Sequence, residues 1–258
     1  MKFKLIVIFL WVILVVAATW AEQQNPDASS LETIFERVYG DISAFNISEK
    51  EKEEMKESGN SPVYGELLPN GILLITQYMN EKLNAFFGNK MPKNITFMDI
   101  GSGAGKVVLG TCMKGPFQKC IGVEYSKERH AIATQAYQKI TSESPELIPE
   151  GREVVFINAD ALTVDISGVY AIYISSYCFQ KPFMEKLLAK FEKELPDGAV
   201  IVTSQAFSTM PQSRVKLIRI FTVPQSWKSD SKAYAYQVGI QDVEVQNDVP
   251  ADWRASSR

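Results

Sequence analysis

Five short apolar runs, at residues 95–100, 120–124, 153–157, 171–175 and 199–203, are interleaved with helical stretches at 106–113, 126–140 and 182–194. Strands that lack polar alternation and are separated by helices are buried on both faces. The pattern predicts an α/β fold: a Rossmann-like, doubly wound, mostly parallel sheet. After Phe207 the helical spacing stops, and residues 215–223 and 232–238 read as a closing antiparallel pair, giving seven strands. A chain of 258 residues suits one such domain with attached pieces.

The pieces lie at the two ends. Residues 1–21 begin with a short basic stretch (Lys2, Lys4) and continue into an uncharged apolar run that breaks at Glu22. Basic start, apolar core and a small residue before a polar break are the plan of a signal peptide. The 17 residues from 5 to 21 also reach the lower limit of a membrane anchor. Either reading sends the chain into the secretory pathway, secreted or membrane-anchored. Residues 22–62 form a polar helical lead-in, with one helix near 30–38 and a second opened by Ser48 and Glu51 as a capping box. Gly71 to Phe87 has an apolar face at helical spacing. The domain proper is expected over 63–238, followed by a tail at 239–258.

Composition excludes several chemistries. The only histidine is His130, within the charged run Lys127-Glu128-Arg129-His130, which reads as a solvated helix face. The three cysteines form no CxxC pair, so neither a histidine nor a cysteine metal site is expected. Without Lys2 and Lys4 the chain has 25 basic and 30 acidic residues, a net charge of −5. So acidic a body is a poor counterion for nucleic acid, and strong nucleic-acid binding is not expected.

The chemistry concentrates after the first strand. Asp99-Ile100-Gly101-Ser102-Gly103-Ala104-Gly105 ends that strand and opens a helix. Glycines there allow close approach to the backbone, and the helix start offers N–H donors and partial positive charge. The spacing is GxGxG and not the dinucleotide GxGxxG. Glu124 ends the second strand, where a carboxylate can accept from both hydroxyls of a ribose, and Asp160 follows the third. In a doubly wound sheet these strand ends share one crevice. Three acids there suit a nucleoside with a cationic tail better than a pyrophosphate. S-adenosyl-L-methionine is the natural cofactor of that description.

These residues resemble the catalytic domain of the disruptor-of-telomeric-silencing histone-lysine methyltransferases, within the class I S-adenosylmethionine-dependent methyltransferases. The run from Asp99 to Leu109 is similar to that family's DLGSGxGxVVL signature, Gly122-Val123-Glu124 to its GVE, and Thr203 to Phe207 to its SSKPF. Val63-Tyr64-Gly65-Glu66 looks like its loop upstream of the first strand. The chain departs at Ser175-Ser176-Tyr177-Cys178-Phe179, where the family has Asn-Asn-Phe-Ala-Phe, and at Lys106, where it has Gln. The resemblance implies methyl transfer to a protein lysine amine. It implies that Tyr64 and Glu66 close over the methionine part of the cofactor. It further implies that Asp99, Gly101, Gly103 and Glu124 line the cofactor site, and that Asp160 with Ala161 meets the adenine. Ser176, Phe179 and Tyr234 would be the catalytic group, with Phe207 and Trp227 as further channel walls. A partner protein with an accessible lysine is implied, and the acidic body argues against a nucleosome. A small-molecule N- or O-methyltransferase, or a low-activity cofactor-binding protein, are the alternatives.

Overall fold

The computed structural model describes residues 26–40, 42–57 and 60–248. The apolar run at 1–21 lies outside the described residues. Among the described residues no helix is long and apolar enough to cross a membrane.

Helices α1 (Pro26–Tyr39), α2 (Glu49–Glu57) and α3 (Pro69–Phe87) precede the first strand. Strand β1 (Thr96–Ile100) leads to α4 (Lys106–Lys114), β2 (Lys119–Glu124), α5 (Lys127–Glu143), β3 (Glu153–Asn158) and β4 (Val169–Ile174). Then come α6 (Lys181–Glu194), β5 (Val200–Thr203), β6 (Val215–Gln225), β7 (Lys228–Val238) and β8 (Gln246–Asn247). The sheet order is β3-β2-β1-β4-β5-β7-β6-β8. Strands β1 to β5 are mutually parallel, and β7 runs antiparallel to both β5 and β6.

The doubly wound sheet is as expected, but it has eight strands and not seven. The eighth is a two-residue polar segment paired in parallel with Arg219 and Ile220 of β6. Backbone pairing and an Arg219–Asp248 ion pair at 2.6 Å hold it. Neither leaves an apolar alternation in the sequence, which is why β8 was not foreseen.

Alternate strand residues feed two cores, which explains the continuous apolar runs. Phe97, Tyr173, Val200 and Val202 face α1, α3 and α4. Met98, Ile100, Ile172 and Ile201 face α6 through Leu187 and Phe191. The lead-in helices belong to the first core: Leu31, Phe35, Val38 and Tyr39 of α1 are buried in it. Ser48 Oγ accepts from the Glu51 N–H at 3.2 Å, one half of the expected capping box. The Glu51 carboxylate turns instead to the backbone N–H of Glu128 at 3.2 Å, tying α2 to the start of α5.

Candidate active site

At the C-terminal ends of β1 to β4 the chain encloses a cavity of about 260 Å³. Gly101, which opens the loop between β1 and α4, lines it, whereas Gly103 and Gly105 do not. Gly101, Gly103 and Gly105 all lie in the left-handed region, at φ +77°, +53° and +82°. At Gly103 the conformation and the crowding act together, because a β-carbon there would run into the Tyr64 ring. Glu124 sits beneath this loop. Its Oε2 accepts from the Gly103 N–H at 2.7 Å and its Oε1 from the Ser126 N–H at 2.8 Å. Burial raises the Glu124 pKa, and the Ser126 and Gly103 N–H groups and the Arg129 charge oppose it. The Tyr125 N–H is a further backbone donor to this carboxylate, and each carboxylate oxygen has two lone pairs with which to accept.

Residues 60–66 pass over the cavity as a strap. Tyr64 hydroxyl accepts from the Ala104 N–H at 3.2 Å and donates to Glu66 at 3.1 Å. Lys106 pairs with the other Glu66 oxygen at 2.7 Å, and its ammonium lies 5.0 Å from the centre of the Tyr39 ring. Tyr39 in turn donates to the Ala104 carbonyl at 2.8 Å. The Gln-to-Lys departure at 106 is therefore answered inside the chain by Glu66. Tyr39, on a helix that looked peripheral, is a contact of the glycine loop that sequence reading missed.

Asp99 is only 2% exposed, on the core side of β1, and does not line the main cavity. It borders a small chamber under the strap, shared with Glu66, Ser102, Lys106 and Ser175. Its Oδ1 and the Ser102 Oγ are buried with no hydrogen-bond partner among the described residues. Burial first, and the Glu124 charge second, push the Asp99 pKa well up.

The loop after β4 separates the remaining residues. Phe179 lies against Gly101, whose β-carbon would stand 3.1 Å from the ring. Tyr177 and Trp227 form the outer rim, with ring centres 6.0 Å apart and exposures of 66% and 43%. Ser176 points away from the cavity. It is 0% exposed, its hydroxyl bonds Thr203 Oγ1 at 2.6 Å, and it accepts from the Gln205 N–H at 2.9 Å. Ser175, not Ser176, lines the cavity. Gln205 fastens the loop by donating to the carbonyls of Ser176, Tyr177 and Phe179. Phe207 and Tyr234 pack in the core beside α6 and are not among the cavity walls. Asp160 and Ala161 do line it, and Asp160 Oδ1 also accepts from the Leu162 N–H at 2.9 Å, which fixes the turn after β3.

The largest omission of the sequence reading is Arg129. It is buried, it lines the cavity, and its guanidinium lies 4.6 Å from the centre of the Tyr64 ring. His130, its neighbour, is half-buried and does not line the cavity. Among the described residues no cluster of His, Cys, Asp or Glu could hold a metal ion.

A doubly wound sheet with a GxGxG loop after β1, an acid ending β2 and a strap over the crevice defines a methyltransferase of the S-adenosylmethionine-dependent class. Residues 45–227 match the family described as histone methylation protein DOT1, and the chain belongs to that family. No curated protein matches the chain. Among solved structures it is similar to an RNA methyltransferase from Salinibacter ruber in complex with S-adenosyl-L-homocysteine. That likeness has 15% identity and a TM-score of 0.42, and covers 67% of this chain and 96% of the other. It is also similar to a structure from Methanococcus maripaludis assigned to the S-adenosyl-L-methionine-dependent methyltransferases. There the identity is 13% and the TM-score 0.45, with 76% of this chain and 94% of the other covered.

Proposed function

We propose that this protein methylates lysine side chains of a protein partner, using S-adenosyl-L-methionine bound in the crevice beneath the strap. When bound, that cofactor supplies an electrophilic methyl group. The residues present fit it. Glu124 presents a carboxylate acceptor to a ribose, while Asp160 and Ala161 stand where a base would lie. The orphaned Asp99 and Ser102 atoms suit a cationic amino-acid end, with Tyr64 and Glu66 above it.

The observation that carries the lysine reading is the aromatic mouth of the cavity. Phe179, Tyr177 and Trp227 line it together. Aromatic faces attract an ammonium group, and an apolar passage lowers its pKa by desolvation. A methyl transfer to an amine needs alignment and a neutral nucleophile more than a strong base. The cavity walls, which carry no histidine, suit that requirement. The net charge of −5 beyond residue 21 favours a basic protein segment over nucleic acid as partner. The leader at 1–21 directs the chain to the secretory pathway, by cleavage or as an anchor. A mature amino terminus at Glu22 or an intact Met1 would distinguish the two.

Radiolabelled methyl transfer into a cell extract tests the acceptor. Label in protein, recovered as methyl-lysine after acid hydrolysis, is expected. Label confined to the small-molecule fraction would overturn the reading, and so would label recovered as another methylated residue.

Cofactor binding is also expected to depend on pH through Asp99. The buried carboxyl is protonated below its raised pKa, whereas a cationic ligand group favours the ionised form. Binding then releases a proton, so affinity rises with pH towards that pKa. Titration calorimetry in two buffers of different ionisation enthalpy measures the released proton. Asp99→Asn is expected to abolish the release and to weaken binding at least tenfold.

A further inference from the structure

We infer that Arg129 is the positioning residue that clamps the strap shut over the cofactor crevice. The inference rests on the cofactor reading above and adds to it a side chain outside the glycine loop and the strap. Arg129 stands in the first turn of α5, where its N–H donates to the N-cap Ser126 Oγ at 3.2 Å. Two residues before that cap, β2 ends at Glu124. The clamp and the ribose-facing acid are thus placed by the same strand–helix junction.

The guanidinium reaches three points of the preceding chain at once. Its Nε donates to the Ala44 carbonyl at 3.1 Å, its Nη2 donates to the Pro62 carbonyl at 2.6 Å, and its plane lies over the Tyr64 ring. Ala44 precedes α2, whereas Pro62 and Tyr64 belong to the strap. The planar fork can serve two carbonyls and a ring together, and a lysine can serve only part of that set. The geometry also carries a cost. Arg129 is 3% exposed, and among the described residues no carboxylate forms an ion pair with it. Glu124 and Glu51 act on it only as nearby charges. A buried cation held mainly by carbonyls is expensive. What it holds is the strap, which carries Tyr64 to the Ala104 N–H and Gly65 under the Trp227 ring.

The test compares wild type, Arg129→Met and Arg129→Lys in the full chain. Hydrogen exchange is followed at residues 60–68 and, as an internal reference, in β1 and β4. In Arg129→Met the strap amides are expected to exchange at least tenfold faster while β1 and β4 are unchanged. Arg129→Lys is expected to recover part of the protection. S-adenosylhomocysteine is expected to dissociate at least tenfold faster from the Met variant, with partial rescue by Lys. Unchanged strap exchange in a folded Arg129→Met protein would overturn the clamp, as would equal acceleration across strap and core in both variants. Failure of the wild-type protein to bind S-adenosylhomocysteine would overturn the cofactor reading alone, because the exchange comparison needs no ligand.

Discussion

Gly103→Val is expected to abolish cofactor binding while leaving a folded but weakened protein. Residue 103 has φ +53°, where a residue with a β-carbon costs about 1–2 kcal/mol and a β-branched one is a true outlier. The added carbon must also displace the Tyr64 ring, because the two would overlap. Moving the ring breaks the hydrogen bond from the Ala104 N–H, worth about 1 kcal/mol. Together these terms come to about 2–3 kcal/mol, readable as a lower urea midpoint at unchanged slope. The effect on binding is larger than that on stability. The Gly103 N–H sets the orientation of Glu124, and the strap can no longer seat. A loss of affinity beyond about 100-fold, equivalent to about 2.7 kcal/mol, is expected in calorimetric titration. Affinity within threefold of wild type in Gly103→Val would remove the glycine loop from the cofactor site. Gly151→Ala is the control. Its φ is also positive, +79°, but no atom stands within 4 Å of its missing β-carbon, so cofactor affinity should not change.

The features that were legible in the sequence are those set by neighbouring residues. Strands β1 to β5 announce themselves because alternate side chains enter two cores and leave no regular polar alternation. The glycine loop and Glu124 announce themselves because a strand–loop–helix junction must spend its glycines where the backbone turns. What stayed hidden depends on partners far along the chain. In Lys127-Glu128-Arg129-His130 nothing distinguishes Arg129 from a solvated charge, since its partners, Ala44 and Pro62, lie 85 and 67 positions away. Tyr39 was missed for the same reason, its acceptor Ala104 being 65 positions distant. The misplacement of Ser176 has a different cause. Motif alignment gives the position of a residue, but the short helix Ser176–Cys178 decides which of two adjacent serines faces the cavity. Trp227 reaches the cavity because it sits at the turn between β6 and β7, whereas Tyr234, in the middle of β7, is held against the core.

Glu124→Ala is the second large effect, and it separates binding from folding. The carboxylate satisfies the backbone N–H groups of Gly103 and Ser126, at 2.7 and 2.8 Å, with the Tyr125 N–H as a further donor. Removing it leaves the Gly103 and Ser126 donors unpaired in a site where the parent side chain is buried, at about 1–3 kcal/mol each. Water admitted to the vacated space recovers part of that, so a stability loss of about 2–4 kcal/mol is expected by urea denaturation. Two charge-assisted hydrogen bonds to a ribose contribute about 3 kcal/mol or more, so affinity should fall by at least about 100-fold. Glu124→Gln resolves the two contributions. Its carbonyl oxygen can still accept one backbone N–H, but its amide nitrogen must face the other, donor against donor. Stability should lie between wild type and Ala, while affinity should fall nearly as far as in Ala, since the charge is gone from both. The exposed Glu153, paired with Lys119 at the sheet edge, supplies the surface control. Glu153→Gln should change stability by no more than about 0.5 kcal/mol and binding not at all. If Glu124→Gln bound S-adenosylmethionine as tightly as wild type, the negative charge ending β2 would be structural, and the ribose would have to be held by other groups of the crevice.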